Sequence, residues 1–126
     1  MLLVNASAGP SELHGTGLIA REFIPCGTKI WTLNPNFDLL LSEEEFQTLS
    51  PAAQQQVRYY AYYCLRQHRY VLSADDDRFT NHSDAPNTRD FGEYTIAVKN
   101  INPGEEITAN YVEIGITEFK GNGEAA

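Results

Sequence analysis

Three short stretches of this chain put polar side chains where a purely structural segment has no use for them. Arg78-Phe79-Thr80-Asn81-His82-Ser83-Asp84-Ala85-Pro86-Asn87 gathers an amide, an imidazole, a hydroxyl and a carboxylate at consecutive positions. Gly104-Glu105-Glu106-Ile107-Thr108-Ala109-Asn110-Tyr111 carries a strand-like run to a tyrosine. His14-Gly15-Thr16-Gly17 reads as a loop whose glycines let the backbone approach a ligand and offer it N–H and C=O groups.

Each stretch also has a plain reading. A lone G-x-G is most simply a tight β-turn; it lacks the third glycine of a dinucleotide fingerprint and the Gly-Lys-Ser/Thr ending of a P-loop. Asn81-His82-Ser83 is formally a glycosylation acceptor, as is Asn5-Ala6-Ser7, but no secretion signal supports that. His82, Ser83 and Asp84 suggest a hydrolase, yet adjacent residues rarely face one another and no G-x-S-x-G elbow is present. A capped turn around a satisfied histidine is the structural alternative. Tyr111 alone could be a core aromatic. Asp75-Asp76-Asp77 reads as a solvated turn, without the alternating spacing of a calcium loop.

The elements that must position these residues are short. Runs at 18–20, Lys29 to Leu33, Tyr70 to Leu72, Tyr94 to Val98 and Ile107 to Val112 read as strands between Gly, Pro and Asn turns. In the fourth, Tyr94, Ile96 and Val98 share one face of a half-buried strand. Ser42-Glu43-Glu44-Glu45 is a capping box, and Ser50-Pro51 starts a second helix with serine as N-cap and proline at N1. Val57, Tyr60, Ala61, Cys64 and Leu65 fall on one helical stripe. That stripe predicts burial of Val57, Tyr60 and Cys64, with Gln54, Gln55, Arg58 and Tyr62 turned away.

The 126 residues suit one domain, expected over 1–120 with a flexible tail over 121–126. An apolar fraction of 42% and a charged fraction of 21% are those of a soluble globule. No apolar run reaches the ~20 residues of a membrane span. Cys26 and Cys64 are too few for a disulfide framework and have no metal-ligand spacing, so reduced, partly buried thiols and no metal are expected. The net charge of −8 should repel nucleic acid and attract a basic partner such as a lysine-rich tail. Absence of targeting signals favours the cytoplasm, with a nuclear location also compatible.

Together the three blocks resemble the SET-domain protein lysine methyltransferases, in which a G-x-G loop, an N-H-S-x-x-P-N segment and a G-E-E-[LI]-x-x-x-Y strand occur in that order. Here they are Gly15-Thr16-Gly17, Asn81-His82-Ser83 with Pro86-Asn87, and Gly104-Glu105-Glu106-Ile107 through Tyr111. The likeness covers roughly residues 10 to 112. Gly17-Leu18-Ile19-Ala20 and Ile24-Pro25-Cys26-Gly27 agree with the family's flanking strand and turn. The resemblance implies a mainly β, β-clip fold of small curved sheets with one inserted helical segment and a pseudoknot-like C-terminal threading.

It also implies transfer of a methyl group from S-adenosylmethionine to a lysine amine of a protein. His14, Gly15, Thr16, Gly17, Asn81 and His82 would bind the cofactor, His82 through its backbone. Tyr111 would be catalytic, and Tyr63 or Tyr62 would line the lysine channel, with Tyr63 preferred. The alternative is a catalytically silent module of the same ancestry that binds cofactor or a basic peptide. The chain departs from the family in lacking a C-terminal cysteine-rich zinc cluster. It also has Ala109-Asn110 where an aromatic and an aspartate are usual, and Asp84 where a cysteine often follows N-H-S. Closure of the channel then falls to Phe119 or to a second subunit in a homodimer, unless the channel stays open.

Overall fold

A computed structural model of the chain describes residues 1–112. Phe119 and the 121–126 tail lie outside them. The architecture is mainly β, built from three small sheets. The first contains β1 (Ala6–Pro10), β2 (Thr16–Ala20), β10 (Glu106–Ala109) and β7 (Asn81–His82), in the order β1-β2-β10-β7. The second orders β3 (Lys29–Thr32), β9 (Tyr94–Ala97) and β8 (Thr88–Asp90) as β3-β9-β8. The third orders β4 (Leu39–Leu41), β6 (Arg69–Leu72) and β5 (Tyr62–Cys64) as β4-β6-β5.

The last strand slots into the middle of the first sheet. β10 runs antiparallel to β2, with Ile107 opposite Leu18, and parallel to β7, with Thr108 opposite Asn81. A strand paired on both edges and covered on both faces is apolar or small throughout, and Ile107, Thr108 and Ala109 are all buried. The core it joins includes Leu18, Ile24, Ile30, Trp31, Val71 and Ile101.

The inserted helical segment begins as the sequence dictates. In α1 (Glu43–Gln47) the Ser42 hydroxyl accepts from the Glu45 N–H at 3.0 Å, and the Glu45 carboxylate accepts from the Ser42 N–H at 2.8 Å. In α2 (Pro51–Tyr60) Ser50 accepts from the Ala53 N–H at 3.1 Å. The helix is shorter than its stripe predicts. It stops at Tyr60, Ala61 is extended, and Tyr62 and Cys64 belong to β5 rather than to the helix. Aromatic residues favour strands, and pairing with β6 supplies the ladder bonds that an extra helical turn would have made.

Other expectations change with that boundary. Cys64 is buried, but from the strand, and Leu65 is 70% exposed. Tyr62 is not turned away: its hydroxyl donates to the Gly92 carbonyl at 3.0 Å and its ring meets Trp31 edge-on. Nor is Gln54, whose amide donates to the Phe46 and Leu49 carbonyls, tying α2 to α1.

On β9 Tyr94 and Ile96 are half-buried, as their alternation predicts, but the deepest residue is on the other face. Ala97 is fully buried, whereas Val98 is exposed and Tyr94 is covered by the Lys29 ammonium, 4.7 Å from the ring centre. The aspartate run is no solvated turn either. Asp75 caps a 3-10 helix (Asp76–Phe79) and accepts from the Leu2 N–H, while Asp76 accepts from the Ala8 N–H, so both carboxylates pin the N-terminal segment. Cys26 and Cys64 are both free, and Cys26 is exposed rather than partly buried.

Candidate active site

The site starts at the β1–β2 hairpin. Pro10 pairs with Thr16, so residues 11–15 form the connecting loop. Ser11 shapes it: its hydroxyl accepts from the N–H groups of Leu13 and His14 at 2.9 and 3.1 Å. Gly15 has φ +47°, which glycine adopts without strain. Gly17 matters by contact instead, because a Cβ there would lie 2.4 Å from a carboxylate oxygen of Glu106 and would force that side chain to move.

That carboxylate belongs to a network centred on Asn81. The Asn81 Nδ2 donates to the carbonyls of His14 (2.9 Å) and Thr16 (3.1 Å) and to Glu106 Oε2 (2.9 Å). Three acceptors around one end of the amide fix which end carries the nitrogen. Among the described residues none donates to its Oδ1. The side chain, on a residue 3% exposed, lines a recess with His14, Gly15, Thr16, Tyr59 and Phe79. A residue so buried cannot be a glycosylation acceptor.

The next residue holds the tyrosine. His82 Nδ1 accepts from the Tyr111 N–H at 3.0 Å, and Nε2 faces Asp84 Oδ1 at 2.9 Å. An accepting Nδ1 places the proton on Nε2, which donates to Asp84. The imidazole is therefore engaged at both nitrogens, and the Ser83 hydroxyl accepts from the Ala85 N–H. This geometry leaves the hydrolase reading without a base aimed at its nucleophile. Asn87 secures the strand leading to Tyr111: its amide donates to the Glu106 carbonyl at 2.8 Å and accepts from the Thr108 N–H at 2.9 Å. Thr88 adds a bond to the Thr108 carbonyl at 2.7 Å.

Tyr111 follows β10 and is 3% exposed. Its hydroxyl donates to the Thr80 carbonyl at 2.5 Å. Burial, then the neighbouring Tyr59, Asp77 and Glu106, push its phenol far above the ordinary tyrosine range. It lines a cavity with Trp31, Tyr62, Thr80 and Ala109. Tyr60 lines both this cavity and the recess beside Asn81, so one aromatic ring forms a wall common to the two.

The residues His14, Gly15, Thr16, Asn81 and His82 are thus brought together with Tyr111, while Gly17 lies just beneath, against Glu106. Tyr63 is not among them. It sits opposite Tyr70 in the β5–β6 pair with its ring edge-on at 5.1 Å, whereas the preceding Tyr62 lines the cavity. The period-two alternation of a strand separates these neighbours, and it becomes visible only once β5 is known to be a strand. Tyr60 and Ser11 carried no motif signal, and Glu106, inside the G-E-E block, carried none for a role of its own.

The SET domain family model matches residues 15–112, well over half of the chain. The chain belongs to the SET domain family. Solved structures agree on the fold. A Plasmodium falciparum protein described as a proposed histone methyltransferase superposes with a TM-score of 0.62 at 21% identity, over 87% of this chain and 95% of that one.

A Chaetomium thermophilum Polycomb Repressive Complex 2 bound to S-adenosylmethionine gives a TM-score of 0.65 at 22% identity. An apo form of that complex, carrying two substitutions in Ezh2, gives 0.66 at 25%. Each covers 88% of this chain, which in turn spans only 15% of either Chaetomium chain. No curated protein matches this SET domain in sequence.

Proposed function

We propose that this SET domain is an S-adenosylmethionine-dependent methyltransferase acting on the side-chain amine of a lysine in a protein substrate. The observation that carries this reading is the pairing of two spaces across Tyr60, one beside Asn81 and the G-x-G loop, the other beside Tyr111. The cofactor fits the first on chemical grounds. Asn81 lines a recess with His14, Tyr59, Tyr60 and Phe79, and no described residue donates to its carbonyl oxygen, which suits an ammonium group attached to an apolar, ring-bearing body. His14, Gly15, Thr16, Asn81 and the main chain of His82 would hold it. When bound, it supplies an electrophilic methyl group.

The chain's own residues orient the acceptor. The Tyr111 hydroxyl donates its proton to the Thr80 carbonyl, so towards an amine N–H or a methyl C–H it would act as an acceptor through its oxygen. With its pKa raised, the phenol stays protonated and acts by position, not as a base. A lysine in water has a pKa of ~10.4 and must lose its proton before attack. Desolvation between the aromatic walls of Trp31, Tyr60 and Tyr62 disfavours the charged amine. The net charge of −8 favours a basic substrate segment.

Purified protein incubated with radiolabelled donor and a lysine-rich peptide tests the reading. Label is expected in that peptide and not in its lysine-to-arginine counterpart. Absence of label, with donor binding retained, would favour a silent binding module and overturn the enzyme reading.

A further inference from the structure

Glu106 has both carboxylate oxygens committed inside the site. Oε1 accepts from the Ser11 hydroxyl at 2.7 Å and Oε2 from the Asn81 amide at 2.9 Å. Ser11 is the residue whose hydroxyl gathers the N–H groups of Leu13 and His14. Asn81 in turn bonds the carbonyls of His14 and Thr16. One carboxylate therefore ties both ends of the loop to the amide that faces the recess. Gly17 completes the arrangement, since any side chain there would displace the carboxylate. The adjacent Glu105 does something unrelated: it accepts from the Asn102 N–H and closes the turn before β10.

We propose that Glu106 is a positioning residue for the cofactor site, acting through Ser11 and Asn81 on the group that binds in the recess. This rests on the reading of that recess given above. Two physical effects follow from the geometry. A charge-assisted bond at Nδ2 locks the amide so that Oδ1, not the nitrogen, is presented to a cationic donor. Sharing the two Nδ2 hydrogens among a carboxylate and two carbonyls also increases the electron density on Oδ1, making it a better acceptor for an ammonium. Removing the carboxylate frees Asn81 to turn and the loop to open, while Tyr111 keeps its bonds to His82 and Thr80 and the cavity beyond Tyr60 loses no lining residue. The expected signature is weaker cofactor binding with peptide recognition unchanged.

Calorimetric titration of S-adenosylmethionine into wild type, Glu106→Gln and Glu106→Leu tests this, together with the Asn81 side-chain amide signals in NMR spectra of the ligand-free proteins. Gln can still accept from Asn81 through its oxygen and donate to Ser11, so a loss of a few-fold is expected. Leu should weaken binding at least about tenfold, with the peptide KM unchanged, and should collapse the separate, slowly exchanging Asn81 amide signals towards those of a free amide.

Equal affinity of Leu and wild type overturns the proposal. If wild type binds no cofactor, the functional reading fails, and unchanged Asn81 signals in the Leu variant then also refute the positioning role. If the Leu variant does not fold, Ser11→Ala is the deciding variant. A several-fold loss of affinity at unchanged peptide KM supports the tie, and wild-type affinity refutes it.

Discussion

Tyr111 is held at three points that have different consequences. Its N–H is fixed by His82, its hydroxyl proton by Thr80, and its ring by burial beside Ala109 in the cavity. Tyr111→Phe removes only the hydroxyl, so turnover should fall on the order of 100-fold, with cofactor affinity within a few-fold of wild type. Single-turnover kinetics and calorimetry on the same preparation check both halves. A variant that turns over normally would end the catalytic assignment.

A second residue-scale test separates neighbours. Tyr62→Phe removes a hydroxyl from the cavity wall and its bond to Gly92, and should alter kcat/KM for a lysine peptide by several-fold. Tyr63→Phe, against Tyr70 on the other face, should leave it within twofold. The reverse order would restore Tyr63 as the channel residue.

At the scale of elements, β10 matters most because both its neighbours come from distant parts of the chain. Asn87 reinforces it with a side-chain amide that bonds the Glu106 carbonyl and the Thr108 N–H. Asn87→Ala leaves the N–H of Thr108, a buried residue, without that partner, so it should cost about 2 kcal/mol of stability. Urea unfolding measures it, and a cost under about 0.5 kcal/mol would show that the strand needs no such support.

The sequence made these elements legible unevenly. Capping boxes and N-caps depend on contacts within four residues, and both helix starts were read correctly. The end of α2 depends on β6, whose pairing captures Tyr62 to Cys64; a stripe of helical period cannot report a strand partner. The partial cover on the apolar face of β9 likewise comes from elsewhere in the chain, since Lys29 and Phe91 shelter Tyr94 while Val98 is left exposed. The motif residues could be read because their types are unusual for structure alone, but the G-E-E motif does not tell which of its two acids turns into the site.

On the scale of the whole molecule, the buried phenols of Tyr62 and Tyr111 set an alkaline limit. Burial is the first cause at both, with Asp90 next for Tyr62 and Tyr59 next for Tyr111, and each pKa lies well above the usual value of 10. Below pH ~10 both folded and unfolded forms keep the proton, and the stability these groups contribute is complete. Above that pH the unfolded chain releases protons that the folded chain retains. Stability must then fall as pH rises, by up to ~1.4 kcal/mol per pH unit for each phenol.

Urea unfolding between pH 8.5 and 11 should show this fall, and Tyr62→Phe should lessen its slope after correction for the variant's lower starting stability. An unchanged slope would mean that Tyr62 ionises freely in the native state. The same asymmetry shapes the activity profile. Deprotonation of an acceptor lysine becomes easier as pH rises, while Tyr111 stays neutral throughout. Turnover should therefore climb with pH until the fold itself gives way, with no separate descending limb from titration of the tyrosine.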